Sequence, residues 1–235
     1  MKAVILAAGR GTRLGEITCH NPKCLMDIGG RTILERQIDL LFKNSVTKIY
    51  IVIGFMADNI KKKLKSTENL IFIENREYET TENIYSLYLA SNYVKGEEFF
   101  LLNGDTIFEE DIIKKLLNYS EKDVAPVDSY YYDLEELKVK VEEGFIKEIL
   151  PKTAPKMSSD GSTIGIFKFS SHGSRILFDE IETLIAKNIK NKWFEYALNE
   201  TLRDMKMHKL DIRGLKWVEV DTLEDIEKAK EIFIT

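Results

Sequence analysis

The chain has 235 residues and a formal net charge of -5, with 44% hydrophobic and 31% charged residues. That is too apolar for a disordered chain, and long enough to fold around one substantial core without disulfides or a structural metal. The mild acidity and the lack of a basic stripe speak against nucleic acid as a partner. No run approaches the ~18 apolar residues of a membrane span, and the N-terminus lacks the apolar stretch of a secretory leader.

The expectation is a cytoplasmic protein with no membrane partner, organised as a single domain over 1–235. The densest basic run, Lys61, Lys62, Lys63 and Lys65, reads as a solvated helix face. Cys19 and Cys24 are the only cysteines, so no disulfide framework exists. With His20 between them they suggest zinc, but a closed site needs a fourth ligand that the spacing does not supply.

Taken in chain order, Ala3 to Leu6 is a short apolar run ending in Ala-Ala-Gly, which predicts a buried strand. Thr32 and Glu35 form a capping-box pair ahead of Ile33, Leu34, Ile38 and Leu41, an amphipathic helix. Ile49 to Ile53 predicts a second strand. Asp58 opens a short helix with Ile60 and Leu64 inward, and Leu70 to Ile73 predicts a third strand. Asn83 is placed to cap a helix carrying Ile84, Leu87, Tyr88 and Ser91. Phe99 to Leu102 predicts a fourth strand, stopping at Asn103-Gly104-Asp105. The alternation of strand and helix implies right-handed crossovers and a mostly parallel sheet covered on both faces. Residues just after the strands then collect on one edge, where ligands bind in open α/β folds.

The second half changes character. Leu137 to Val141 and Phe145 to Ile149, joined by Glu143-Gly144, predict a hairpin. Thr163 to Phe169 is a further strand, followed by helices from about Ser174 and over about Phe194 to Met205. Lys216 to Val220 is a strand ending at Asp221. Thr222 and Asp225 cap a last helix with Ile226, Ala229 and Phe233 as its apolar face. The fold class expected is three-layer α/β, Rossmann-like, with a mixed, mostly parallel sheet and an antiparallel extension.

The stretch Leu6-Ala7-Ala8-Gly9-Arg10-Gly11-Thr12-Arg13-Leu14 carries the most chemistry. Small residues after a strand let backbone N–H groups approach an anion. Leu14 stands where a dinucleotide fingerprint needs its third glycine, and no Gly-Lys-Ser/Thr follows, so neither NAD/FAD binding nor a Walker loop fits. Arg13 and the Lys23 of Asn21-Pro22-Lys23 add cations suited to phosphate oxygens.

Together these motifs resemble the sugar-nucleotidyltransferase superfamily, which has a GT-A-like fold. The signature is a glycine loop with an arginine, then Pro22-Lys23, then a capped helix at Gly30-Arg31-Thr32-Ile33-Leu34-Glu35. Asn103-Gly104-Asp105 and Trp217-Val218-Glu219-Val220-Asp221 extend the likeness over nearly the whole chain. Asn83-Ile84-Tyr85-Ser86-Leu87-Tyr88-Leu89, and a segment with Tyr196 and Asn199, look like the phospho-alcohol cytidylyltransferase branch. Members of that branch lack the C-terminal β-helix of many sugar-nucleotide pyrophosphorylases, and the expectation is that none accompanies these 235 residues.

The resemblance implies transfer of a nucleotidyl group, expected from CTP, to a small phosphorylated alcohol such as phosphocholine, releasing pyrophosphate. It implies nucleotide contacts from Leu6, Ala8, Gly9, Gly11, Thr12, Arg13, Lys23, Asn83 and Gly104. Arg13 and Lys23 would stabilise phosphate charge, and Asp105 and Asp221 would hold Mg²⁺. Glu219, two residues from Asp221, shares its sheet face and serves as a metal or supporting residue. The acceptor pocket is expected in the antiparallel extension, with Tyr85, Trp193, Glu195, Tyr196, Trp217 and Glu219. Their rings and one carboxylate suit an amine or ammonium better than a hexose.

One departure stands out. The stretch around Leu137 is aliphatic and charged where phosphocholine enzymes would have an aromatic, which speaks against choline itself. Three other readings compete: a UTP- or dTTP-dependent sugar-1-phosphate nucleotidyltransferase, a nucleotide-sugar glycosyltransferase and an inactive regulatory module. The glycosyltransferase would favour Asp-x-Asp where Asn103-Gly104-Asp105 stands, and the inactive module would have lost Arg13, Lys23 or an aspartate.

Overall fold

The computed structural model describes residues 1–235 except 12, 14, 16–20, 121, 131, 133–135 and 235. Strands β1 (Lys2–Ala7), β2 (Lys48–Ile53), β3 (Leu70–Glu74) and β4 (Phe99–Asn103) form its parallel half, in the order β3-β2-β1-β4. Their side chains alternate between two apolar layers. Val4, Leu6, Tyr50, Val52, Phe99 and Leu101 face one core, and Ala3, Ile5, Ile49, Ile51, Phe100 and Leu102 the other. Strands buried on both faces read as continuous apolar runs, which is why they are legible in the sequence.

Helices α1 (Ile33–Lys43), α2 (Ala57–Lys63) and, after the short β5 (Thr106–Phe108), α5 (Glu110–Leu117) cover the second core. The first is covered by α3 (Asn83–Leu89), α6 (Ser171–Ala186) and α7 (Phe194–Thr201), with the one-turn α4 (Ser91–Val94) following α3. The capping box of Thr32 and Glu35 is formed at the start of α1. A second box, of Thr222 and Asp225, starts α8 (Leu223–Phe233). On α2, Lys61 pairs with Glu74 and Lys63 with Glu35, so the lysine run is a solvated face.

Beyond β4 the sheet continues through β10 (Ile166–Phe169), β6 (Asp123–Asp128), β9 (Ser162–Thr163), β7 (Lys138–Glu142), β8 (Phe145–Leu150) and β11 (Met207–Asp211). Strand β11 also pairs with β6, so this extension curls back on itself. Only β8, β9 and β10 of the ten strands run against the others. The fold class is therefore the expected mixed, mostly parallel α/β sheet with an antiparallel extension. Among the described residues, no helix is long and apolar enough to cross a membrane.

Several expectations change in detail. Thr163 to Phe169 is two strands, because Gly165 at φ 67° breaks it between β9 and β10. Asn83 does not cap α3. Glu82 occupies the cap position, and the Asn83 side-chain oxygen instead accepts from the Phe194 N–H at 2.6 Å. The helix expected to reach Met205 ends at Thr201. Four elements, β5, α5, β6 and β11, have no counterpart in the sequence expectations. Pro126 inside β6 and the polar Met-His-Lys-Leu-Asp of β11 mask both strands.

Candidate active site

A cavity of about 610 Å³ lies at the carboxyl ends of β1, β3 and β4. Strand β1 delivers Ala8, Gly9, Gly11 and Arg13 to it, β3 delivers Asn75, and β4 delivers Gly104 and Asp105. Gly104 is a packing requirement. A Cβ there would stand 2.9 Å from the Leu6 carbonyl oxygen and 3.1 Å from the Ala7 Cβ. The bend after β4 is held from below by the buried Gln37 of α1. Its amide donates to the carbonyls of Asn103 and Thr106 at 2.8 and 2.7 Å.

Strand β12 (Trp217–Glu219) pairs antiparallel with β5 and carries the chain back to this edge. The Val220 N–H donates to the Asp105 carbonyl at 3.0 Å, so Asp221 arrives beside Asp105 despite the sequence distance between them. Pro22 leads into a single 3-10 turn, Lys23–Leu25, whose Cys24 and Leu25 are buried and anchor it. This aims Lys23 between the two aspartates. Its Nζ lies 2.6 Å from Asp105 Oδ2 and 2.5 Å from Asp221 Oδ1. Arg13 Nη1 takes the other Asp221 oxygen at 2.7 Å.

Burial works to lower the Lys23 ammonium's pKa, but Asp105 and Asp221 outweigh it and the net direction is up. Asp221 mirrors this. Burial raises it, and Lys23 with Arg13 pulls it below its ordinary value. Glu219 goes the other way, driven well up by burial and by Asp105 and Glu136. Cys24, the next residue to Lys23, is buried and pushed up to about 12, which makes it an inert thiol.

Asp105, Glu219 and Asp221 bring carboxylate oxygens within 4.8 Å of one another. Asp105 Oδ1 is buried and has no hydrogen-bond partner. An all-oxygen donor set with an unsatisfied carboxylate oxygen fits a hard cation such as Mg²⁺.

Around Glu219 the cavity is also lined by Glu136, Lys152, Asn191, Trp193 and Glu195. Lys152 Nζ stands 4.0 Å from Glu219 Oε1 and 5.6 Å from the centre of the Trp193 ring. Burial pushes Glu136 up to about 7 against the pull of Lys152.

Of the residues singled out in the sequence, Leu6, Ala8, Gly9, Gly11, Arg13, Lys23, Asn83, Gly104, Asp105, Trp193, Glu195, Glu219 and Asp221 line this one cavity. Thr12 and Leu14 lie outside the described residues, as do Cys19 and His20. Three aromatics expected at the acceptor wall are not lining residues. The Tyr85 hydroxyl donates to Glu77 and its ring lies under Lys190 Nζ at 4.5 Å. Trp217 is buried, and its indole N–H donates to Asp128 Oδ2 at 3.1 Å. Tyr196 is 43% exposed, with Lys192 Nζ 5.8 Å from its ring centre. Glu136, Lys152, Asn75, Tyr78 and Asn191 are lining residues that sequence reasoning missed. Only Lys152 left a trace, as the cation beside Pro151 just after the hairpin.

A family model described as "MobA-like NTP transferase domain" matches residues 3–163. The chain is 32% identical over 233 residues to the "Bifunctional IPC transferase and DIPP synthase" of Aquifex aeolicus, covering 99% of this chain and 51% of that protein. It is 31% identical over 245 residues to the "Bifunctional protein GlmU" of Methanococcus vannielii, covering 100% of this chain and 55% of that one. It thus spans about half the length of these relatives. A CTP:phosphoglutamine cytidylyltransferase of Campylobacter jejuni is 26% identical and matched along 97% of this chain and 98% of its own. Among solved structures, a putative glucose-1-phosphate thymidylyltransferase from Bacillus anthracis superposes with a TM-score of 0.84 at 21% identity, covering 99% of this chain and 94% of that one. The CTP:phosphocholine cytidylyltransferase of Streptococcus pneumoniae does so with 0.78 at 20%, covering 98% of each chain. At these identities the likeness concerns the fold.

Proposed function

The chain belongs to the MobA-like NTP transferase domain family, and from that premise we propose that it transfers a cytidylyl group from CTP to a small phosphorylated alcohol, with Mg²⁺ as the metal and pyrophosphate as the second product. The observation that carries the reading is the placement of Lys23. It sits between Asp105 and Asp221, beside a loop of small residues at the end of β1. The cytidylyl choice is supported by the CTP-using relative that is matched along nearly its whole length.

The reaction needs no covalent nucleophile. A phosphate oxygen of the acceptor forms a bond to the α-phosphorus as the bond to the bridging oxygen of the β-phosphate breaks, and that electron pair leaves with pyrophosphate. The task of the protein is alignment and neutralisation of charge. Ala8, Gly9 and Gly11 present backbone to the triphosphate, and Arg13 and Lys23 face its negative charge. Asp105 and Asp221 would hold Mg²⁺, with Glu219 beside them, and the bound ion would neutralise phosphate charge. Lys152, 4.0 Å from Glu219, would be the cation that meets the acceptor phosphate.

The test is pyrophosphate release with each of the four nucleoside triphosphates against phospho-alcohols and sugar 1-phosphates. CTP with a phospho-alcohol should give the highest kcat/KM. A higher value for UTP or dTTP with glucose 1-phosphate overturns the proposal.

A further inference from the structure

The cavity lining expected to hold the acceptor is acidic rather than aromatic. Of four rings expected there, only Trp193 lines it, and Lys152 already faces that ring. The other lining groups include the carboxylates of Glu136, Glu195 and Glu219. Glu195 differs from the other two because Asp105 and Asp221 act on the carboxyls of Glu136 and Glu219 but not on its own. It lies in the first turn of α7, is only 7% exposed, and its Oε2 is buried with no hydrogen-bond partner. Burial pushes this carboxyl up to about 7, against its own backbone N–H and Lys152. A carboxylate oxygen with no protein partner at a ligand cavity is open to a donor that the ligand brings.

A quaternary ammonium has no N–H to give. Its complement is a cage of ring faces, and the rings that would build one are turned elsewhere: Tyr85 onto Glu77, Trp217 onto Asp128 and Tyr196 toward solvent. A primary ammonium, an amide or a hydroxyl carries the missing donor.

We infer that the acceptor carries N–H or O–H donors at the end opposite its phosphate, that Glu195 receives them, and that a quaternary ammonium is disfavoured. This rests on the nucleotidyl-transfer reading of the cavity and narrows its acceptor.

The experiment compares phosphoethanolamine, inositol 1-phosphate, glucose 1-phosphate and phosphocholine. Each is measured by kcat/KM with CTP and, independently of turnover, by calorimetric affinity. The best donor-bearing acceptor should exceed phosphocholine by at least ~10-fold, the scale of one hydrogen bond to a charged group. Glu195→Gln and Glu195→Ala should cost that acceptor ~10–100-fold while changing phosphocholine less than ~3-fold and leaving the KM for CTP in place. Glu195→Gln keeps the volume, so a fold defect in the alanine variant does not obscure the result. Phosphocholine as the best ligand overturns the inference, as does an equal loss for all acceptors. Donor-dependent binding without turnover, or glucose 1-phosphate as the best acceptor, upholds it while overturning the reaction or the phospho-alcohol choice.

Discussion

On the side of the cavity assigned to the nucleotide, much of what faces a ligand is main chain: Ala8, Gly9 and Gly11 after β1, and Gly104 after β4. On the side proposed for the acceptor it is side chains brought from distant segments: Glu136 ahead of β7, Lys152 after β8 and Glu195 on α7. A backbone cradle favours small residues at fixed offsets from a strand, and at Gly104 the demand is steric, because a Cβ there would collide with β1. A side-chain wall demands only that some element deliver a group of the right charge. The first design tolerates few sequences, and the second tolerates many. Substitutions on the two sides should therefore fail differently, the first for every acceptor and the second for one acceptor at a time.

The largest effect is expected at Lys23. Lys23→Ala removes the cation between Asp105 and Asp221 and should lower kcat by ~100–1000-fold with all acceptors, the cost typical of losing one preorganised charge contact. It also leaves two carboxylates facing each other without their shared counter-ion. The melting temperature of the variant should thus rise more on adding millimolar Mg²⁺ than that of the parent protein does. Near-normal turnover, or a melting temperature insensitive to Mg²⁺, would show that Lys23 is an ordinary ion-pair residue.

Lys152→Met tests the other side. It keeps the aliphatic stem and removes the charge that faces Trp193 and Glu219. The KM for the acceptor should rise ~10–100-fold, while the KM for CTP changes less than ~3-fold. Equal changes in both constants would erase the distinction between the two sides.

The contrast also explains what the sequence could reveal. The parallel strands, both capping boxes and the glycine-loop, Pro-Lys and Gly-Asp motifs are local patterns, each a consequence of burial on two faces or of a backbone that must turn tightly. Lys23, Asp105 and Asp221 were nameable because they sit at strand ends or on a motif. The acceptor wall was half legible. Trp193 and Glu195 line the cavity, but Tyr85 and Trp217 do not, because their polar atoms found protein partners in Glu77 and Asp128. Nothing within a few residues of either ring announces those partners. Glu136 and Lys152 were missed for the same reason, since each gains its place only once the strands of the extension pair.

Gly104→Ala probes the backbone side with a single methyl group. The added Cβ meets the Leu6 carbonyl and Ala7 at 2.9 and 3.1 Å, so β1 and β4 must part where the glycine loop begins. A loss of ~1–3 kcal/mol in stability is expected, as for other overpacked sites. The KM for CTP should rise by ~5–10-fold with the acceptor KM held, since a displaced loop forfeits about one hydrogen bond. A stable variant with normal CTP kinetics would show that the loop does not need this close approach.

The smallest effect separates the two sides by the sign of their pH dependence. Asp221 is held below its ordinary value by Lys23 and Arg13 against the cost of burial. Its contribution to stability is present above the unfolded carboxylate pKa and disappears as the pH falls through the folded one. Glu195 is the reverse case, with burial raising it to about 7. Between the unfolded value of about 4.3 and that point, the folded chain holds a proton that the unfolded chain has released, so stability falls as pH rises across the window. Glu195→Gln is neutral throughout and lacks this slope. In the ligand-free protein it should match the parent near pH 4.5 and melt about 3–8 °C higher at pH 8, where the parent must bury an ionised carboxylate. Asp221→Asn should do the opposite, costing stability at pH 8 because Lys23 and Arg13 lose their counter-charge. If both variants shift the melting temperature in the same direction at pH 8, the acceptor wall carries no carboxylate held in reserve for a ligand's donor, and the two sides are chemically alike.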